Sequence, residues 1–175
     1  DLSGLEVETA GDNGRAFILR EKLSLFLKAN SSNYTHIFID CPPSLSLLTV
    51  MALVASNCLI VPLQTEFFAL EGLTQLVKTI ERVKDNLNSE LTIRGIILTM
   101  YDKRNKLSGQ VEQEARNYFK EKVYQTVVPR NVRLSEAPSH GVPVLLYDKS
   151  CPGSKSYFNF TDEFLNQEKP VESAA

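Results

Sequence analysis

Short apolar, β-branched runs alternate with longer amphipathic stretches along this chain, and that alternation leaves few architectures open. HIFID (36–40), CLIVPL (58–63), IRGIILT (93–99), YQTVVP (124–129) and PVLLYD (143–148) read as strands. Successive residues in them are apolar, as in strands buried on both faces of a sheet. Between them the apolar spacing changes to three and four. Phe17, Ile18, Leu19, Leu23, Phe26 and Leu27 predict a helix over 15–29. Leu70, Leu73, Val77, Ile80, Val83 and Leu87 predict a second over 70–87. Leu107, Val111, Ala115, Tyr118 and Phe119 predict a third over 107–120, and a last helix is expected from about Ser156 to Leu165. Such a chain folds as α/β, with right-handed crossovers and a mostly parallel β-sheet flanked by helices. Residues 1–14 read as an irregular lead-in. Residues 1–165 read as one domain, and the polar tail 166–175, with Pro170, as disordered.

The length of 175 residues suffices for one domain with a real core. A formal net charge of −2 excludes a global basic field, so any nucleic-acid contact must come from a local patch. The longest apolar runs fall short of a membrane span and no signal-peptide pattern opens the chain, which predicts a cytoplasmic protein without membrane contact. Cys41, Cys58 and Cys151 are odd in number and widely spaced, so neither a disulfide frame nor a metal site is indicated.

Asp40 closes the run HIFID. In parallel α/β folds ligands sit outside the carboxyl ends of the strands, where a carboxylate suits Mg²⁺, a hard ion that prefers oxygen. Pro42 and Pro43 follow, fixing two φ angles and removing two amide donors, so the turn after the acid is stiff. Taken alone, an apolar run ending in Asp is more often a strand stopping in a turn. Three basic residues, Lys103, Arg104 and Lys106, follow another strand end, and Arg130 and Arg133 lie in a later loop. Alone, such a run is a solvated surface loop. His36 and His140 have no partner at a useful spacing and read as structural. Glu66 and Glu71 flank FFAL at an expected helix start, where acid is stabilising by itself.

The blocks IFIDCPPSLSLLTVMAL, LIVPLQTEFFALEGLTQL, IILTMYDKRNKLSGQV and VVPRNVRLSEAPSHGVPVLLYD, in this order and spacing, resemble the ParA/Soj chromosome- and plasmid-partitioning ATPases over roughly residues 1–165. The resemblance implies a deviant-Walker P-loop NTPase fold. It also implies that Asp40 is the Walker B aspartate, a catalytic residue that holds Mg²⁺ through water. Met100 would pack on the purine of ATP, and the Pro129, Arg130 and Asn131 loop would line the adenine, largely through backbone groups. It further implies non-specific DNA binding through Arg104, Arg133 and Lys103, by phosphate contact alone. A homodimer in the ATP state, with Phe67 and Phe68 as interface candidates, is implied too. So are a ParB-like partner that stimulates hydrolysis and a nucleoid-associated location. The family's phosphate loop, KGGxGKT, has no match: no Gly-Lys-Thr or Gly-Lys-Ser occurs, and Gly11 and Gly14 have no lysine after them. The fold is therefore expected to lack its N-terminal strand and P-loop, and the chain alone to be catalytically incompetent. A non-catalytic remnant or interaction module is the alternative. A MinD-like relative is another, although the tail NQEKPVESAA carries no basic amphipathic stripe. An iron–sulfur relative would need cluster cysteines that are absent.

Overall fold

The computed structural model describes residues 14–30, 34–42 and 46–168. Most of the expected lead-in, Pro43 of the stiff turn and the end of the tail lie outside them. Two compact units are present, Asp1–Leu59 with Gln75–Thr92, and Ile60–Thr74 with Ile93–Ala175.

In the first unit a 3-10 turn, Arg15–Phe17, opens helix α1 (Ile18–Asn30), which packs on α2 (Leu47–Ala55). The sequence pattern does not announce α2, because LLTVMALVA is apolar all round and has no helical period. A helix of that kind belongs in an interior, and Met51, Ala52, Leu53 and Val54 are buried. The carbonyls at its end are satisfied from the buried side chain of Asn88. That amide donates to Leu53 O at 3.0 Å, Val54 O at 3.3 Å and Ser56 O at 2.8 Å. Residues 36–40, expected as a strand, carry no regular structure and lie outside the described sheet. Ile37 is 41% and Phe38 73% exposed. Strand propensity is realised only in a ladder with side chains packed against it.

The sheet has the order β1-β2-β3, with β1 at Cys58–Gln64, β2 at Thr92–Tyr101 and β3 at Val123–Pro129. Helix α3 (Ala69–Asn86) connects β1 to β2, and α4 (Lys106–Phe119) connects β2 to β3. β2 and β3 run parallel, with Ile96 opposite Val123, Leu98 opposite Val127 and Tyr101 opposite Pro129. Ile96, Ile97 and Leu98 are buried, as their unbroken apolar run requires. Helix α7 (Pro152–Glu168) packs on β3. Its Phe160 and Phe164 join Ile97, Tyr124 and Val128 in the core of the second unit. Pro152 opens α7 because a first-turn residue needs no amide, so the helix begins before the expected Ser156. It also runs into the segment expected as tail. Its Glu163 accepts hydrogen bonds from the β3 amides of Gln125 at 2.7 Å and Thr126 at 2.9 Å.

PVLLYD, expected as a strand, instead contains the single helical turn α6 (Val144–Tyr147), preceded by the short α5 (Val132–Glu136). The amides of Leu146 and Tyr147 donate back to Pro143 O, and that of Asp148 to Val144 O, so the second half of the run is not available for a ladder. Ser154 Oγ donates to Asp148 O at 2.6 Å, fixing this turn to the start of α7.

Gly95 lies under the ring of Tyr124. A Cβ there would stand 2.7 Å from the ring's Cζ, and Tyr124 is buried against Phe160 at a centroid distance of 4.8 Å. Gly95→Ala is expected to destabilise the fold by about 1–3 kcal/mol, the usual cost of overpacking a core, as read from the urea midpoint.

Candidate functional site

A cleft of about 380 Å³ opens in the second unit at the carboxyl ends of the strands. Thr65 and Glu66 after β1, Met100 and Asp102 at the end of β2, and Arg130 after β3 contribute to its wall. The first turn of α4 closes it with Leu107 and Ser108, beside Asn105. Asn105 is the N-cap of α4, its Oδ1 accepting from Leu107 N at 3.0 Å.

Met100 is held at φ 54°, in the left-handed region that non-glycine residues rarely enter. Such a conformation costs on the order of 1–3 kcal/mol and persists only where the surroundings fix it. Thr65 lies against it, with Oγ1 at 3.3 Å from the Met100 carbonyl. Arg130 donates through its amide to Tyr101 O at 3.0 Å, extending the β2–β3 pairing by one bond. Its guanidinium then reaches Glu66 at 2.9 Å, with both side chains about half exposed (56% and 54%). A pair so exposed adds little stability, but it lies on the cleft wall. Glu66, read from sequence only as an acid at a helix start, precedes α3 and is a cleft residue instead. Glu71 does lie in the first turn of α3.

Of the expected base-side residues, Met100 and Arg130 come together in this cleft. Pro129 and Asn131 flank Arg130 in the chain but do not line it. The Asn131 side chain is committed to capping α5, its Oδ1 accepting from Arg133 N at 3.0 Å. Thr65, Asp102, Asn105, Leu107 and Ser108 were not anticipated. The one signal for them was position, since each follows a strand end closely.

The expected basic residues are paired more than sequence suggests. Arg104 grips Asp102 through Nε at 3.1 Å and Nη2 at 3.0 Å, while remaining 90% exposed. Its amide donates to the same carboxylate at 3.0 Å. Hydrogen bonds from the Arg104 side chain, then from its backbone, hold the Asp102 carboxyl down at about 2. Arg133 pairs with Glu136 at 2.8 Å and Asp148 at 3.6 Å, and lies 6.0 Å from the Tyr147 ring centroid. His140 stacks on the other partner of that group, Tyr147, at 4.9 Å, in keeping with a structural reading. Lys103 is exposed.

Asp40 belongs to the first unit and is exposed. The thiol of Cys41 beside it is pushed up, first by burial and then by the Asp40 charge. Among the described residues no three of His, Cys, Asp and Glu gather into a metal-holding group.

A family model described as an AAA domain matches residues 1–93. The chain is 53% identical over all its 175 residues to the chromosome partitioning protein ParA of Caulobacter vibrioides, covering 65% of that protein. It is 48% identical over 162 residues to the sporulation initiation inhibitor protein Soj of Bacillus subtilis, covering 93% of this chain and 62% of that one. Among solved structures it resembles cobyrinic acid a,c-diamide synthase from Mycobacterium smegmatis with bound ATP analogue and magnesium. The TM-score is 0.74 at 29% identity, covering 95% of this chain and 59% of that one. The chain thus spans less than two thirds of the length of each of these proteins.

Replacing Arg104 by Gln is expected to raise the Asp102 pKa from about 2 part of the way toward the ordinary aspartate value of about 3.9, because the amide of residue 104 still donates to the carboxylate. A lowered folded-state pKa stabilises above the unfolded value and loses that effect as pH falls through the folded one. The Asp102 contribution is therefore present above about pH 4, fades toward pH 2, and is reduced in Arg104→Gln. Carboxyl carbon NMR over pH 1.5–6 (on the order of five units, to bracket both values) reads it directly.

Proposed function

This chain belongs to the ParA/Soj family of chromosome-partitioning proteins, within the AAA domain family, on the P-loop NTPase fold, and we propose that it forms the base-binding and DNA-facing part of a Mg²⁺-dependent partition ATPase. The observation that carries this reading is the cleft at the carboxyl ends of β1, β2 and β3, with Met100 and Arg130 in its wall. Ligands of open parallel sheets bind at that end. A volume of about 380 Å³ lies within the roughly 300–1,000 Å³ of small-molecule sites.

The residues present fit an adenine nucleotide there. Met100 offers an apolar, polarisable surface to a purine face. Of the Pro129, Arg130 and Asn131 loop, Arg130 lines the cleft and would offer its backbone carbonyl to the purine edge, while Pro129 and Asn131 flank it in the chain and the side-chain oxygen of Asn131 stays with the Arg133 amide. Asp40, exposed and followed by Cys41 and Pro42, offers a carboxylate to Mg²⁺ through water. One carboxylate fits an ion that keeps several waters and takes further oxygens from phosphate. When bound, Mg²⁺ would supply positive charge that offsets the charge of a γ-phosphate. No Gly-Lys-Thr or Gly-Lys-Ser occurs in these 175 residues, and the chain spans 65% of the ParA protein it matches, so hydrolysis is proposed for a full-length protein of this family and not for this chain alone.

Arg104, Arg133 and Lys103 would meet DNA phosphates without reading bases. Arg104 and Arg133 would exchange Asp102 and Glu136 for phosphate oxygens, which makes binding steep in salt. Phe67 and Phe68, 74% and 71% exposed and packed edge to face at 5.0 Å, suit the contact between two ATP-bound copies. A ParB-like protein would stimulate hydrolysis. No helix among the described residues is long and apolar enough to cross a membrane. Action at the nucleoid in the cytoplasm is part of the proposal.

In the full-length protein, Asp40→Ala should abolish Mg²⁺-dependent phosphate release while circular dichroism stays unchanged; undiminished turnover would remove Asp40 from the metal site. Arg104→Glu and Arg133→Glu should each weaken DNA binding and lower the salt slope by about 1. Wild-type affinity across a salt series would rule out this patch.

A further inference from the structure

We propose that Thr65 and Ser108 are positioning residues that set the shape of the cleft by clamping the backbone of Met100, so that the surface offered to a flat base is formed before the base arrives. The proposal rests on the reading of this cleft as the base site. Both side chains are buried, at 1% and 2% exposure, yet both end in hydroxyls, which an interior accepts only with partners.

Those partners come from three segments. Thr65 follows β1, Thr99 and Met100 end β2, and Ser108 lies in the first turn of α4. The Thr65 amide donates to Thr99 O at 3.0 Å. Thr65 Oγ1 stands 3.3 Å from Thr99 O, 3.3 Å from Met100 O and 3.2 Å from Ser108 Oγ. Ser108 Oγ donates to Thr65 O at 3.3 Å and accepts from Asp102 N at 3.5 Å. Each hydroxyl carries a single proton, so two protons serve these acceptors and the pair acts as one unit.

Met100 is therefore held from both sides. Its own carbonyl and that of Thr99 face Thr65, and the amide two residues later faces Ser108. Between these anchors the chain turns left at φ 54°. Without them an L-residue relaxes to negative φ and the Met100 side chain leaves its place in the wall. Ordering it would then fall to the ligand. Immobilising one such side chain on binding weakens affinity by about 2- to 10-fold.

Ser108→Ala, Thr65→Val and Thr65→Ser in the full-length protein test this, with methionine methyl groups carbon-labelled and Met100→Leu identifying the signal. In the nucleotide-free protein the Met100 methyl resonance is expected to shift or broaden in Ser108→Ala and Thr65→Val. That of Met51, buried in α2, should stay. Thr65→Ser, which keeps the hydroxyl, should restore the wild-type signal. The ADP dissociation constant should rise about 2- to 10-fold in the first two variants, with a narrower preference for ADP over GDP, and return in Thr65→Ser. An unmoved Met100 signal in both Ser108→Ala and Thr65→Val overturns the clamp; should Thr65→Val not fold, Ser108→Ala alone decides this. A moved signal with unaltered ADP affinity upholds the clamp and overturns instead the placement of the base on Met100.

Discussion

Ile96, Ile97 and Leu98 lie at the buried middle of β2, and water cannot satisfy the backbone groups of a strand in that position. β1 on one side and β3 on the other therefore have to pair with it, and each needs a helical crossover to return in the same direction. The helices that do so bring the beginnings of α3 and α4 to the carboxyl ends of the strands. The cleft follows from this arrangement. Its wall is made of whatever residues come just after Gln64 and Pro129 and on either side of Tyr101, together with the turn that starts α4. Side chains can vary there because the strands carry the core.

The same requirement separates what sequence reveals from what it hides. β1, β2, β3, α3 and α4 were legible because apolar runs and helical periods coincide with pairing and packing that the chain itself completes. HIFID has an equally good strand composition and is not in the described sheet. PVLLYD also looked like a strand. The amides of Leu146, Tyr147 and Asp148 are taken by Pro143 and Val144, a local solution that a hydrophobicity pattern does not register. Helix α2 was hidden for the opposite reason, since uniform burial erases periodicity.

The site was legible in part. Met100 and Arg130, named through their place in long, specific blocks, lie together in the wall of one cleft. Thr65 and Ser108 were not named, because a Thr and a Ser 43 residues apart acquire meaning only when two strand ends and a helix start converge. The pairing of the basic residues was not visible in the sequence either: Arg104 and Arg133 each have an acidic neighbour two or three residues back or on, Asp102 and Glu136, whose geometry closes an ion pair. Local charge at the surface is thus more balanced than KRNK and PRNVR suggest.

Glu163 of α7 has a consequence beyond the packing of that helix. Its two carboxylate oxygens occupy the amides of Gln125 and Thr126 on β3. Unoccupied strand amides are a template on which another polypeptide can continue a sheet. Here an incoming strand would first have to displace two charge-assisted hydrogen bonds, and its own carbonyls would be repelled by the displaced carboxylate. One side chain on a packed helix thus closes this part of β3 to strand addition, and with it one route by which α/β chains coalesce.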